Sequence, residues 1–157
     1  MLYFAHGSFI DRPQMLVCCP EADFIAPARL NDYRLCFPRW SRVRASAVAG
    51  IELAEGESVW GVLYNLSLKD RDRLDLVEGY APGRDPGLNA SHRVTVSVER
   101  PDGMTVDAET HVPVPMDDPG VPSPGYLMVL VRAAEILQFP PEYLAMLRDV
   151  EAQRLAA

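Results

Sequence analysis

Two stretches of this chain carry residue types that could do acid–base chemistry on a bound group. The first is Leu2-Tyr3-Phe4-Ala5-His6-Gly7-Ser8-Phe9-Ile10. Four apolar or aromatic residues read as a short buried strand. The run then breaks at His6-Gly7-Ser8, where glycine lets the backbone turn or approach a bound group. A buried strand that turns and opens a helix leaves backbone N–H groups for a carboxylate or a developing oxyanion. The same Gly-Ser sequence also serves as an ordinary strand-to-helix turn. The second stretch is Leu74-Asp75-Leu76-Val77-Glu78-Gly79. Glu78 follows an apolar pair at a predicted helix C-terminus, where the dipole is negative and disfavours a carboxylate. A buried carboxyl there has a raised pKa, which suits a general base or acid near neutral pH. A solvated helix-end Glu is the alternative, and Asp75 is expected to be its exposed neighbour.

The elements that must position these groups follow from local pattern. Asp11 caps a helix over Arg12 to Val17, with Pro13 in its first turn. Asp23 to Ala28 reads as a strand, Asn31-Asp32 as a turn, and Tyr33 to Phe37 as the hairpin partner, ended by Pro38. Val43 to Leu53 reads as a further strand and Glu55-Gly56-Glu57 as a turn. Ser58 to Leu66 is the clearest strand. Ser67 caps a helix whose stripe is Leu68, Leu74 and Val77, with residues 69 to 73 facing water and Gly79 just past its end. Tyr80 to Asn89 is a loop, and Asp85 to Ser91 could be a lid or a passive surface segment. Ser91 to Glu99 and Met104 to Val112 form a hairpin across Pro101-Asp102-Gly103. Pro113 to Pro122 is irregular. Ser123-Pro124 starts a helix through Tyr126 to Leu137. Phe139-Pro140-Pro141 breaks it, and a last helix sets Tyr143, Leu144, Leu147, Val150 and Leu155 on one face. Mostly antiparallel strands with three or four helices predict one α+β domain over residues 1–157, its sheet curled or barrel-like.

Composition narrows the function classes. The chain has 157 residues, 48 % of them hydrophobic, enough for one domain with a sizeable core. A net charge of −7, with only Arg39, Arg42 and Arg44 grouped around Trp40, disfavours a nucleic-acid partner. No apolar run approaches the ~20 residues that span a bilayer, and no signal-peptide pattern is present, so no membrane partner and a cytoplasmic location are expected. Cys18, Cys19 and Cys36 form neither a disulfide framework nor a zinc pattern, and His6, His92 and His111 form no metal-like cluster.

Five segments in order carry a resemblance. Tyr3-Phe4-Ala5-His6-Gly7-Ser8 resembles the Tyr-Phe-Ala-Tyr-Gly-Ser-Asn signature of the γ-glutamylcyclotransferase family, within the AIG2-like and γ-glutamylamine cyclotransferase superfamily. Residues 28–35, 59–64 and 74–79 resemble the segments that follow in that family. Pro122-Ser123-Pro124-Gly125-Tyr126, extended by residues 137–143, resembles the start of its helical part. The resemblance covers nearly the whole chain. It implies a small, mixed, largely antiparallel β-barrel with flanking helices. It implies cyclisation of a γ-glutamyl amide to 5-oxoproline with release of the amine. Glu78 corresponds to the family's catalytic glutamate, Tyr3, Phe4, Ala5, His6, Gly7 and Ser8 to its substrate-binding segment, and Tyr126 to a substrate contact from the helical side. The substrate's own α-amine is the nucleophile, so no metal and no cofactor is implied. The expected partner is a small-molecule γ-glutamyl compound, and a homodimer is compatible with the sequence without being required by it.

His6 and Phe9 depart from the signature, which has Tyr and Asn there. Histidine exchanges a phenol for a group that titrates near pH 6.5 and is either a substrate contact or a packed residue bonded to backbone. Two alternatives stay open: a cyclotransferase for a larger γ-glutamyl-amine, and a non-catalytic small-molecule or partner-binding member of the same fold.

Overall fold

Aromatic and apolar residues at 2–5 make the first strand, β1 (Leu2–Ala5), followed by a single 3-10 turn (Ser8–Ile10) and helix α1 (Arg12–Cys18). The computed structural model describes residues 1–156, with side chains to residue 153. Leu155, expected on the inner face of the last helix, lies outside the described side chains. Two long strands, β2 (Asp23–Ser41) and β3 (Ser46–Asn65), precede helix α2 (Leu68–Val77). The hairpin of β4 (Ser91–Glu99) and β5 (Thr105–Pro113) leads to helices α3 (Pro124–Ile136) and α4 (Pro141–Ala156).

The strands close into a barrel in the order β1-β3-β2-β4-β5. Four of the pairings are antiparallel. The closing contact of β1 with β5, at Tyr3 and Glu109, is parallel, so the barrel is mixed. Its interior takes apolar residues from every strand: Phe4, Ala28 and Leu30, Val59 and Leu63, Val98, and Ala108. Because side chains alternate along a strand, Tyr3 and Ala5 point the other way. With Val62 and Tyr64 they form the outer face on which Met15, Leu74, Leu127, Leu130 and Leu147 of the helices pack.

Several expected turns are not turns. Asn31-Asp32 and Glu55-Gly56-Glu57 face each other inside one continuous β2–β3 ladder. Asn31 pairs with Ser58 and Tyr33 with Leu53, so residues 54–57 lie opposite Asp32 alone. Both sides use left-handed backbone, at Asp32 (φ 63°) and Gly56 (φ 82°), and the Gly56 N–H donates to Asp32 Oδ1 at 3.0 Å. A bulge and a turn want the same residues, which is why local pattern did not separate them. Pro38 likewise sits within β2 at a register shift rather than at its end, since a bulge spares it a ladder bond.

Helix α2 corrects a second expectation. Leu68 and Val77 of the expected stripe are exposed, and only Leu74 is buried. Asp70 and Asp75, expected in water, are buried instead. Asp70 Oδ2 accepts the Glu21 N–H at 2.8 Å and its Oδ1 pairs with Arg73 at 2.9 Å. Apart from Arg73, one turn on in the same helix, the partners of these acids come from distant segments and are invisible to helical periodicity. The caps stand as expected: Ser67 accepts from the Asp70 N–H and Ser123 from the Tyr126 N–H.

Candidate active site

The outer face of β1 sets Tyr3 and Ala5 toward a cavity, and the 3-10 turn that follows brings His6, Gly7 and Ser8 to its edge. The turn closes through Ile10 N–H to Gly7 O at 3.0 Å and Asp11 N–H to Ser8 O at 3.1 Å. The N–H groups of Gly7, Ser8 and Phe9 precede the first bond of that turn and have no backbone partner among the described residues. Tyr126 enters from the first turn of α3. Its hydroxyl accepts the Ala49 N–H at 2.9 Å, and the Ser8 N–H lies close enough to help stabilise its oxygen. A Cβ on Gly7 would stand 3.1 Å from Tyr126 Oη and 3.3 Å from Ala49 Cβ, so the turn approaches the phenol closely only because residue 7 has no side chain. Phe4, the second residue of the expected binding segment, does not line the cavity. Its ring is fully buried inside the barrel, as alternation along β1 requires.

Glu78 completes α2 as its C-cap, in helical geometry at φ −81° and ψ 0°. Gly79 turns the chain in left-handed conformation (φ 70°), and Tyr80 N–H returns to Asp75 O at 2.9 Å, a helix stop of the Schellman kind. The Glu78 carbonyl accepts the Ser91 hydroxyl at 2.8 Å. The residue is thereby anchored from both sides, with its side chain on the cavity wall. The carboxyl has no hydrogen bond or ion pair among the described residues, and burial raises its pKa from 4.5 to about 7. The Arg44 guanidinium opposes that rise. The charge of Glu78 in turn pushes both phenols upward, on top of the larger effect of burial: Tyr126 to about 12, and Tyr3 well above its usual 10. One acid therefore faces two tyrosines and the turn of residues 6–8 across a single space.

Three further residues belong to this site and were not expected there. Arg44 rides on the β2–β3 hairpin tip, stacked 5.4 Å over the Phe9 ring, with Nη1 donating to Gln14 Oε1 at 2.7 Å. It has no ion-pair partner among the described residues. His111 of β5 lines the floor, and its Nδ1 meets Tyr3 Oη at 2.8 Å. Asp75 lies behind it, with Oδ1 at 2.7 Å from His111 Nε2 and Oδ2 at 2.6 Å from Arg93 Nη1. Nothing local marks these three. A hairpin-tip arginine, a strand-end histidine and a helix aspartate are ordinary until the barrel closes.

His6 proves to be both a packed histidine and a cavity residue. Its Nε2–H donates to the His111 carbonyl at 2.9 Å, which leaves Nδ1 as a buried lone pair without a partner among the described residues. Burial lowers its pKa from 6.5 to about 4, so it is neutral at ordinary pH. Val43 and Val77, which also line the cavity, are largely exposed. In the Asp85–Ser91 loop, Asn89 Oδ1 accepts from Arg84 Nη2 at 2.6 Å and from Ala81 N–H at 3.2 Å. No helix among the described residues is long and apolar enough to cross a membrane.

This arrangement has relatives. A structure titled Gamma-glutamyl cyclotransferase superposes with a TM-score of 0.84 at 25 % identity, covering 94 % of this chain and 86 % of that one. Gamma-glutamylcyclotransferase of Homo sapiens is 27 % identical over 154 residues, which is 96 % of this chain and 78 % of the relative. The protein of the same name from Bos taurus is 29 % identical over the same spans. The model of the AIG2-like family matches residues 58–147, more than half of the chain and the part that carries Asp75, Glu78, His111 and Tyr126. With the closed mixed barrel and the helices packed on its outer face, that match identifies the chain as a member of the AIG2-like family.

Proposed function

We propose that this protein is a γ-glutamylcyclotransferase-type enzyme, which closes the γ-glutamyl part of an amide to 5-oxoproline and releases the amine. The observation that carries this reading is the near-neutral carboxyl of Glu78, unpaired among the described residues, sharing one cavity with the Gly7–Ser8 turn. The α-ammonium of the substrate must lose a proton before it can attack, and a carboxylate with a pKa of about 7 is a competent acceptor. The amine then bonds to the γ-carbonyl carbon, and the developing oxyanion meets the N–H groups of the turn. Collapse breaks the amide C–N bond. The ammonium gives up two protons in all, one stays on the lactam nitrogen, and the leaving amine gains two. Glu78 carries them across in succession. Arg44, a cation of the cavity with no ion-pair partner among the described residues, suits the substrate's α-carboxylate. Holding the glutamyl chain folded supplies the orientation that an intramolecular attack needs.

The adjoining cavity favours a large leaving amine within the same chemistry. It shares Val77 and Glu78 with the first and continues past Arg39, Trp40, Arg42 and Met116. The test is 5-oxoproline release from γ-glutamyl amides graded by amine size. Turnover should be lost in Glu78→Gln, and kcat/KM should rise through a pKa near 7, since the free enzyme's base must be deprotonated. Absence of 5-oxoproline across the panel, with binding retained, would leave a small-molecule-binding member of the family instead.

A further inference from the structure

We propose that Asp75 and His111 act as positioning residues that fix the direction of the Tyr3 hydroxyl, so that Tyr3 presents a lone pair to the cavity and selects a ligand carrying a protonated amine. The inference rests on the γ-glutamyl reading and names how that substrate's amine is recognised.

The argument follows hydrogen-bond direction from the buried end outward. Asp75 is 4 % exposed, and its Oδ2 accepts from Arg93 Nη1 at 2.6 Å. A carboxylate paired with a guanidinium has only acceptors to offer. The 2.7 Å contact from its Oδ1 to His111 Nε2 therefore requires a proton on Nε2. A neutral imidazole carries one N–H, so Nδ1 is bare. Tyr3 Oη, 2.8 Å away, must donate to it. The only proton of Tyr3 is thus committed to His111 Nδ1; the His111 backbone N–H helps stabilise the oxygen, which keeps room for one further donor from the cavity. Tyr3 and Glu78 line the same space, so an ammonium placed there finds two acceptors for its three N–H groups.

The state of His111 decides this polarity. Facing it are Tyr3 from β1, Asp75 from α2, Arg93 from β4, and the Tyr80 ring at 6.1 Å. His6 reaches its carbonyl, and Glu109 lies 3.5 Å beyond, on Arg93. Burial holds its imidazole below the ordinary 6.5, in the neutral form that the chain of bonds requires. A second proton, on Nδ1, would reverse the Tyr3 hydroxyl and turn its hydrogen toward the ligand's amine.

The decisive variant is Asp75→Asn. An amide at position 75 can donate to His111 Nε2, which moves the ring proton to Nδ1 and reverses Tyr3. Two ligands are compared in the intact protein: γ-glutamyl-alanine, and glutaryl-alanine, which has the same acyl chain without the amine. KM and KI are read from turnover, and Kd from calorimetry. We expect γ-glutamyl-alanine to weaken roughly tenfold or more in Asp75→Asn while glutaryl-alanine changes little, because a charge-assisted bond is lost. Tyr3→Phe, which keeps the ring and removes only the hydroxyl, should erase the same preference should Asp75→Asn not fold. Imidazole nitrogen shifts should report Nε2–H in the wild type and Nδ1–H in Asp75→Asn. Equal loss of both ligands, an unchanged ratio, or a wild-type proton on Nδ1 overturns the proposal. Failure of the wild type to release 5-oxoproline overturns the γ-glutamyl reading instead, and the nitrogen shifts and the two Kd values still judge this one.

Discussion

Replacing Glu78 by Gln should make the protein more stable above neutrality and leave it unchanged in acid. Burial lifts the carboxyl from 4.5 to about 7, so between those values the folded protein holds a proton that the unfolded chain has released. The stabilisation this represents is whole below pH 4.5 and is lost as pH rises through about 7. The full interval amounts to a ceiling of ~3 kcal/mol. The side chain keeps some contact with solvent through the cavity, so screening reduces the expected gain at pH 8 to ~1–2 kcal/mol. His6 works in the opposite sense. Its pKa falls from 6.5 to about 4, so the unfolded chain binds a proton first and stability is lost as pH drops through that window. In the wild type the two slopes largely offset each other between pH 4.5 and 6.5. In Glu78→Gln the slope of His6 should emerge, at up to ~1.4 kcal/mol per pH unit. Urea unfolding of both proteins from pH 4.5 to 8.5 measures this, and the difference between the curves isolates Glu78. A variant that is less stable at pH 8, or a difference that does not change with pH, refutes the burial argument.

Other perturbations test the geometry separately. Gly7→Ala should lower turnover sharply with a stability loss of ~1 kcal/mol or less, because its Cβ would crowd Tyr126 Oη at 3.1 Å; assays beside a melting curve separate the two effects. Arg44→Gln should raise KM more than it lowers kcat, by roughly tenfold, if the guanidinium meets the substrate's carboxylate. An equal loss in kcat alone would move Arg44 away from binding.

The architecture was readable where local chemistry and global position agree. Ser67, Ser123-Pro124 and Pro101-Asp102-Gly103 mark their caps and turn because each acts on neighbours a few residues away. Glu78 was legible for the same reason: an acid after Leu76-Val77 at a helix end is locally out of place. Misreading arose where the deciding partner is remote. Asp70 and Asp75 look solvated on a helical wheel, yet the Glu21 N–H, Arg93 and His111 hold them inside. Asn31-Asp32 and Glu55-Gly56-Glu57 carry turn chemistry, but each is opposite the other in a ladder that continues beyond both. Segment resemblance groups Phe4 with its neighbours, whereas period-two alternation along β1 sends it into the barrel.

The short opening strand has a consequence for the order of folding. It pairs with residues near 65 and again at Glu109, and the turn after it waits for Tyr126. Such distant pairings are slow to form, because long loops must close before any contact repays them. The pocket therefore forms only after Tyr3 and Tyr126, more than a hundred residues apart in the chain, have been brought together, and no local element supplies it alone.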